Sequence, residues 1–250
     1  MNVFEAVKGN VTTRQAAEMY GIRVNRNGMA VCPFHNDKNP SMKVDMRFHC
    51  FACQADGDAV DFVVPTGNFG NILACWYAKN MGLPVGKLIC ASNQNNVLAD
   101  FFSRGVYDRN RTFYTTISPS MDILISSNLE RLLYSVCGSD TEVAGYMAEL
   151  AGTGRYEVSD AVKAVIGKHF VGGYCSDDET KSAINKVYTE NGYLMDTHTA
   201  VAYNKLAAYR KDTGCVTPAV VVSTASPYKF CNSVLQALGQ ESDAPGTELI

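Results

Sequence analysis

The sequence predicts an α/β protein, a partial open parallel sheet flanked by helices, preceded by a small module of a different kind. Two observations carry this expectation. From residue 63 onward, short apolar strands alternate with longer amphipathic helices, the pattern of βαβ units. Before that point, Cys32, His35, Cys50 and Cys53 stand as two close pairs, Cys-x-x-His and Cys-x-x-Cys, separated by fourteen residues. The boundary is expected between residues 1–62 and 63–250.

Along the first part, Thr12 and Gln15 form a capping-box pattern for a short helix that Gly21 stops. Asn25-Arg26-Asn27-Gly28 is a turn signal, and Gly57-Asp58 another. Met29–Val31 and Met42–Val44 alternate as short strands, and residues 59–64 are apolar around Asp61. In the second part, the loop from Pro65 leads into a helix over Ile72–Met81, a strand over Lys87–Ala91 and a helix over Asn96–Ser103. Helices follow over Asn128–Val136 and Glu142–Leu150, then a strand over Phe170–Tyr174 and helices over Asp177–Asn191 and Thr199–Arg210. A strand over Ala219–Ser223 and a helix over Tyr228–Leu238 complete the series.

The two cysteine-containing pairs have the spacing of a structural metal site. Each pair can close on one ion from a tight turn, and the chain between them is long enough for a hairpin. Three thiolates and one imidazole fill a tetrahedral shell with no open position, which is how structural zinc is held. About sixty residues bury little apolar surface, so the metal supplies the missing folding free energy. A zinc-ribbon-like module is therefore expected, with Cys32, His35, Cys50 and Cys53 as ligands. His49, beside a ligand but outside the paired spacing, reads as a surface histidine.

Charge and composition exclude several functions. Residues 1–62 carry seven basic and seven acidic side chains; the remaining 15 basic and 18 acidic residues give the second part the net charge of −3. A long nonspecific nucleic-acid track needs clustered Lys and Arg, which neither part has. The six cysteines outside the metal pattern are scattered among apolar residues, as small buried hydrophobes in a reducing compartment would be. Met1–Gly9 contains Glu5 and lacks an apolar run, and no stretch approaches the ~20 apolar residues a bilayer requires. A cytoplasmic protein with no membrane partner is expected.

The strings C-P-F-H, D-K-N-P-S-M-K-V, F-H-C-F-A-C and G-D-A-V-D-F, in this order, resemble the zinc-binding domain of bacterial replicative primases, especially short forms carried by mobile elements. Ala52 departs from the glycine usual between the second pair of ligands. The resemblance implies engagement of single-stranded DNA. Lys43, Arg47, Phe48 and Phe51 are then candidate contacts, since cations and exposed aromatics hold single strands. Read without the resemblance, Phe48 and Phe51 are core of the small module. No polymerase active site accompanies it.

From about residue 62 the chain resembles threonine synthase, a pyridoxal-phosphate enzyme of the tryptophan-synthase-β type, and so a fragment of the fold type II architecture. V-P-T-G-N-F-G-N-I-L-A, L-I-C-A-S-N-Q-N-N-V-L, S-P-S-M-D-I-L-I-S-S-N-L-E-R-L-L, D-T-H-T-A-V-A and S-T-A-S-P-Y-K-F stand in family order. The resemblance implies that Gly67, Asn68, Phe69, Gly70 and Asn71 hold the cofactor phosphate and that Thr224 faces the pyridine nitrogen. Small residues between a strand and a helix let backbone N–H groups approach an anion. Read without the resemblance, Gly67 and Gly70 are an ordinary turn and Thr224 a helix cap. Asp122, Asn128 and Arg131 are candidates for the substrate side; Asn128 reads equally as a cap. His198 and Thr199 read as structural residues at a helix start.

Enzymes of this type hold pyridoxal phosphate on a lysine. In threonine synthases it lies in a Phe-Lys-Asp string upstream of the glycine-rich loop, and no such string occurs here. No catalytic residue is assigned, and a composite chain that makes no threonine by itself is expected. A natural fusion, a joining accident and a half that needs complementing all fit these residues. The family pattern is also expected to be cut short at the C-terminal end. An uncovered sheet edge, and with it self-association, is the corresponding expectation.

Overall fold

A computed structural model describes residues 22–32, 38–44, 60–81 and 83–240, and the backbone of 48–50 and 56–57. Its contacts divide it into two compact units. One comprises residues 1–61, 74–86 and 216–220; the other comprises Phe62–Leu73, Lys87–Cys215 and Val221–Ile250.

In the first unit, four short strands form an antiparallel sheet in sequence order: β1 (Met29–Ala30), β2 (Met42–Val44), β3 (Phe48–Cys50) and β4 (Asp56–Gly57). The hairpin expected between the ligand pairs is β2–β3, with Met42 opposite Cys50 and Val44 opposite Phe48. Alternation places Met42 and Val44 inside, where they meet Ala30 and Cys32, with Ile22, Val24 and Val60 packed around them. The turn at 25–28 forms as expected: the Asn25 side-chain oxygen accepts from the amides of Asn27 and Met29, at 2.9 and 3.0 Å. Gly57 belongs to β4 instead of a turn, because β3 offers it a partner in Phe48. The helical lead-in predicted before Gly21 lies outside the described residues.

The larger sheet has the order β10-β5-β6-β9, with β5 Val60–Pro65, β6 Val85–Ser92, β9 Phe170–Tyr174 and β10 Ala219–Val221. β6 and β9 run parallel, Leu88 facing Phe170 and Ser92 facing Tyr174. The helices are α1 (Gly70–Asn80), α2 (Val97–Arg104), α3 (Leu129–Cys137), α4 (Asp140–Thr153), α5 (Asp160–His169), α6 (Asp177–Asn191), α7 (Thr197–Thr213) and α8 (Cys231–Ala237). The expected α/β class and sheet flanked by helices are what the protein has. Among the described residues no helix is long and apolar enough to cross a membrane.

Most boundaries follow from caps. The side chain of Ser176 accepts from the Glu179 amide and Glu179 reaches back, so α6 starts where its acidic first turn predicts. Ser139 accepts from the Glu142 amide, which starts α4 two residues before the predicted Glu142. The helix predicted from Tyr228 splits into a 3-10 turn, Pro227–Phe230, and α8. Sequence periodicity missed α5, whose buried stripe is only Val162 and Ile166, and the three-residue strands β7 (Val106–Asp108) and β8 (Arg155–Glu157).

Helix α2 lies directly on β9. A Cβ at Gly172 would come within 2.7 Å of the Ala99 carbonyl oxygen, so only glycine permits that approach. Phe102 on α2 stacks on Phe170 of β9 at 4.9 Å, with the planes 12° apart. Beside them Tyr107 and Tyr156 stack across β7 and β8 at 5.3 Å. Of the cysteines outside the metal pattern, Cys90, Cys175 and Cys231 are buried as expected, whereas Cys75, Cys137 and Cys215 are half-buried.

Candidate functional site

β5 ends at Pro65 and α1 begins at Gly70, which leaves four residues to turn the chain at the end of the sheet. The turn is tight for identifiable reasons. The Thr66 hydroxyl donates to the Val64 carbonyl at 2.7 Å, and the Gly70 amide donates to the Asn68 side-chain oxygen at 3.1 Å. Phe69 takes a positive φ of 69°, unusual for a bulky residue. Its ring is fully buried and packs on Phe102 at 5.7 Å and Phe170 at 6.1 Å. The first intrahelical bond among these residues runs from the Leu73 amide to the Phe69 carbonyl. The amides of Asn71 and Ile72 precede it in the first turn, where N–H groups have no helical acceptor and the helix dipole is positive.

A second segment supports the loop from outside. The Ser126 hydroxyl donates to the Gly67 carbonyl at 2.8 Å, and Asn128 donates to the Asn68 carbonyl from its side chain at 2.9 Å and its backbone at 3.1 Å. Ser126 is itself placed by Tyr107, whose hydroxyl accepts from the Ser126 amide at 2.8 Å and donates to the Leu124 carbonyl at 3.1 Å. Burial raises the Tyr107 phenol to about 12, so it stays a neutral donor. The short 3-10 turn Pro119–Met121 packs against Gly67 so closely that a Cβ there would collide with the Ser120 carbonyl oxygen.

The loop, Ser120, Met121, His198, Thr224 and Ala225 enclose a cavity of about 220 Å³. Gly67–Asn71 and Thr224, far apart in sequence, thus share one space. Thr224 is exposed and does not cap a helix: Ser226 is the residue before the next turn, with no side-chain cap bond.

His198 enters from the first turn of α7. Its Nε2 accepts from the Ser120 amide at 3.2 Å, and its Nδ1 lies 3.2 Å from a carboxylate oxygen of Asp196. Asp196 is the N-cap of α7; it accepts from the amides of His198 and Thr199 and from the Thr199 hydroxyl. Burial pushes the Asp196 carboxyl up, but the bonds from the His198 ring, the Thr199 hydroxyl and the two amides outweigh it, and the group is held below its ordinary 3.8. A carboxyl depressed in the folded state contributes stability above its unfolded value, and loses it as pH falls through the folded one. The melting temperature should therefore drop as pH is lowered from about 4, and Asp196→Asn should flatten that dependence while lowering stability at pH 7.

The candidate substrate-side residues fall in two places. Asp122 sits in a buried polar cluster, where it accepts from Asn93 at 2.7 Å, Asn95 at 3.1 Å, and the Thr116 hydroxyl and amide at 2.7 and 2.9 Å. Its carboxylate is thus occupied in fixing the segment before the 3-10 turn. Asn128 makes no helix-cap bond; besides holding Asn68, it accepts from exposed Arg131 at 2.6 Å. Sequence reading missed Asn93, Asn95, Ser120 and Ser126. The cluster of amides in S-N-Q-N-N, directly after the buried strand β6, was the available signal.

Of the zinc residues, Cys32 is buried beside Met42, and the backbone of Cys50 is fixed on β3. His35 and Cys53, with Arg47 and Phe51, lie outside the described residues, as do the side chains of Cys50, Phe48 and His49. Lys43 is described: its ammonium donates to the Asn27 carbonyl at 2.8 Å, which ties β2 to the turn at 25–28. The donor set, three thiols and an imidazole, fits zinc by its chemistry.

Comparison with known proteins bears on both parts. Residues 4–79 match the family described as CHC2 zinc finger, and residues 199–249 match the C-terminal domain of threonine synthase. Human threonine synthase-like 1 is 45% identical over 185 residues, 73% of this chain and 24% of that protein. Threonine synthase of Saccharomyces cerevisiae is 40% identical over 200 residues, 73% of this chain and 38% of that protein. A crystal structure of pyridoxal-phosphate-bound threonine synthase from Brucella melitensis superposes with a TM-score of 0.68 at 41% identity, covering 75% of this chain and 40% of that one. The chain thus spans about a quarter of the threonine synthase-like 1 proteins and about two fifths of the threonine synthases.

Proposed function

Because the chain joins a CHC2 zinc finger to a segment of the threonine synthase family, we propose that its larger part is a phosphate cradle that binds pyridoxal phosphate but, in this chain alone, makes no threonine from O-phosphohomoserine. The observation that carries the proposal is the single cavity shared by the Gly67–Asn71 loop, His198 and Thr224. The residues fit the group. Gly67 lets the Ser120 turn close on the loop, the amides of Asn71 and Ile72 at the positive end of α1 would hold the phosphate, and the Thr224 hydroxyl can meet the ring nitrogen. Bound pyridoxal phosphate supplies an electron sink for reactions beside an amino group. Ser120 and Met121 form one wall of the cavity, and Phe69 and Asn128 set the loop's shape.

The chain carries no Phe-Lys-Asp string. Titration with pyridoxal phosphate should show saturable binding, competed by inorganic phosphate, without the long-wavelength absorbance of a lysine linkage. Threonine production that disappears on mutating one of the chain's lysines would overturn the reading. So would activity restored by an added N-terminal fragment of threonine synthase with no cofactor bound at this loop.

The smaller part is proposed to bind zinc and, weakly, single-stranded DNA, in a cytoplasmic setting. Only Lys38, Lys43 and Arg47 stand between the ligand pairs. With about three phosphates neutralised, affinity should fall with a log–log salt slope of roughly −2. Nanomolar binding to duplex DNA at physiological salt would contradict this. Self-association belongs to the same proposal: β9 is an edge of the sheet, and Tyr174 at its end is half exposed.

A further inference from the structure

We infer that His198 positions the wall of the cavity: Asp196, the His198 ring and the Ser120 amide form a relay that seats the Pro119–Met121 turn against Gly67. The inference rests on the reading of this cavity as a phosphate cradle.

The bonds fix the histidine tautomer. Nε2 receives the Ser120 N–H at 3.2 Å and so carries no proton of its own. The ring proton is then on Nδ1, which faces the Asp196 carboxylate at 3.2 Å. That carboxylate is buried and anchored by the first turn of α7. The ring is 2% exposed and packs on Phe230 at 4.8 Å, which leaves it little freedom to rotate. At the other end, the Ser120 carbonyl lies where a Gly67 side chain would be. A shift of the 3-10 turn therefore reaches the loop directly. His198 borders the cavity, yet the lone pair it could offer a ligand is already taken by Ser120. It acts on the ligand through the turn.

Two variants separate this role from plain packing. In His198→Gln the side-chain oxygen reaches about as far as Nε2 and can accept from Ser120. In His198→Asn the amide can donate to Asp196 but places no acceptor at Ser120. The Asn variant should lose about tenfold in affinity for both pyridoxal phosphate and inorganic phosphate, the scale of one hydrogen bond. The Gln variant should stay within about threefold of the parent chain. Exchange of the Ser120 amide should accelerate in the Asn variant and stay near parental in the Gln variant. Equal losses in both, or unchanged Ser120 exchange, would overturn the relay. If the parent chain binds neither probe, the phosphate-cradle reading fails, and Ser120 exchange still decides the relay. Should the Asn variant not fold, nitrogen NMR of the parent chain decides: protonated Nδ1 with bare Nε2 supports the relay, and the opposite tautomer overturns it.

Discussion

Serine in place of Cys50 or Cys53 is expected to release the zinc and unfold residues 30–62. The described apolar core of this module is four buried residues, Ala30, Cys32, Met42 and Val44, with three partly buried neighbours. A core of that size does not offset the conformational entropy of ordering the chain. A structural zinc site contributes on the order of 10 kcal/mol or more in comparable peptides. Cys50 lies on β3 opposite Met42, so losing its thiolate also removes what would anchor the central hairpin to the metal. Elemental analysis of the reduced parent protein should find one zinc per chain, and circular dichroism of either variant should show loss of the antiparallel sheet. A reduced, folded parent chain without metal would refute the assignment. Purification without reductant would confuse the result, since unprotected thiolates oxidise.

Gly67→Ala is expected to have the second-largest effect, and to abolish binding of pyridoxal phosphate more than it lowers stability. The new methyl has nowhere to go. The Ser120 carbonyl oxygen occupies the space, and the Met121 Cα and Ser120 carbonyl carbon stand only 3.3 and 3.4 Å away. These are backbone atoms of a turn whose amide is tied to His198, so they cannot swing aside as a side-chain tip would. Forcing them apart should cost about 1–3 kcal/mol, the usual range for overpacking. Binding suffers more, because the loop and the turn both line one cavity and both must move. Fluorescence titration alongside a thermal melt would check this; a variant that binds like the parent would show that the loop does not contact the ligand.

The elements legible in the sequence were those with local punctuation. β9 and α6 have the predicted bounds because Gly172-Gly173 leads directly to the Ser176–Glu179 cap. α7 begins two residues before the predicted Thr199, because the capping oxygen belongs to Asp196. β7 and β8 were illegible, since each is stable only against the other across nearly fifty residues. The same division holds for the site. The glycine-rich loop announces itself through Gly67 and Gly70. The polar supports do not: Asn93 meets Asp122 29 positions later, and Ser120 meets His198 78 positions later. Such pairs leave no periodicity, and each residue alone reads as an ordinary polar position. The Asn128 side chain, read as either a cap or a substrate contact, does a third thing and clasps the loop backbone.

Phe69 carries a consequence for how the cavity recognises anything. A left-handed backbone at a bulky residue is unfavourable, and here the buried stack with Phe102 and Phe170 holds it in place. The curve of the cradle is therefore set from the hydrophobic interior and exists before a ligand arrives. A pre-shaped receptor loses little free energy to ordering its loop when a ligand associates. The same rigidity ties ligand choice to the buried ring: Phe69→Ala, which removes the stack, should weaken phosphate binding by loosening the loop even though the side chain points away from the solvent.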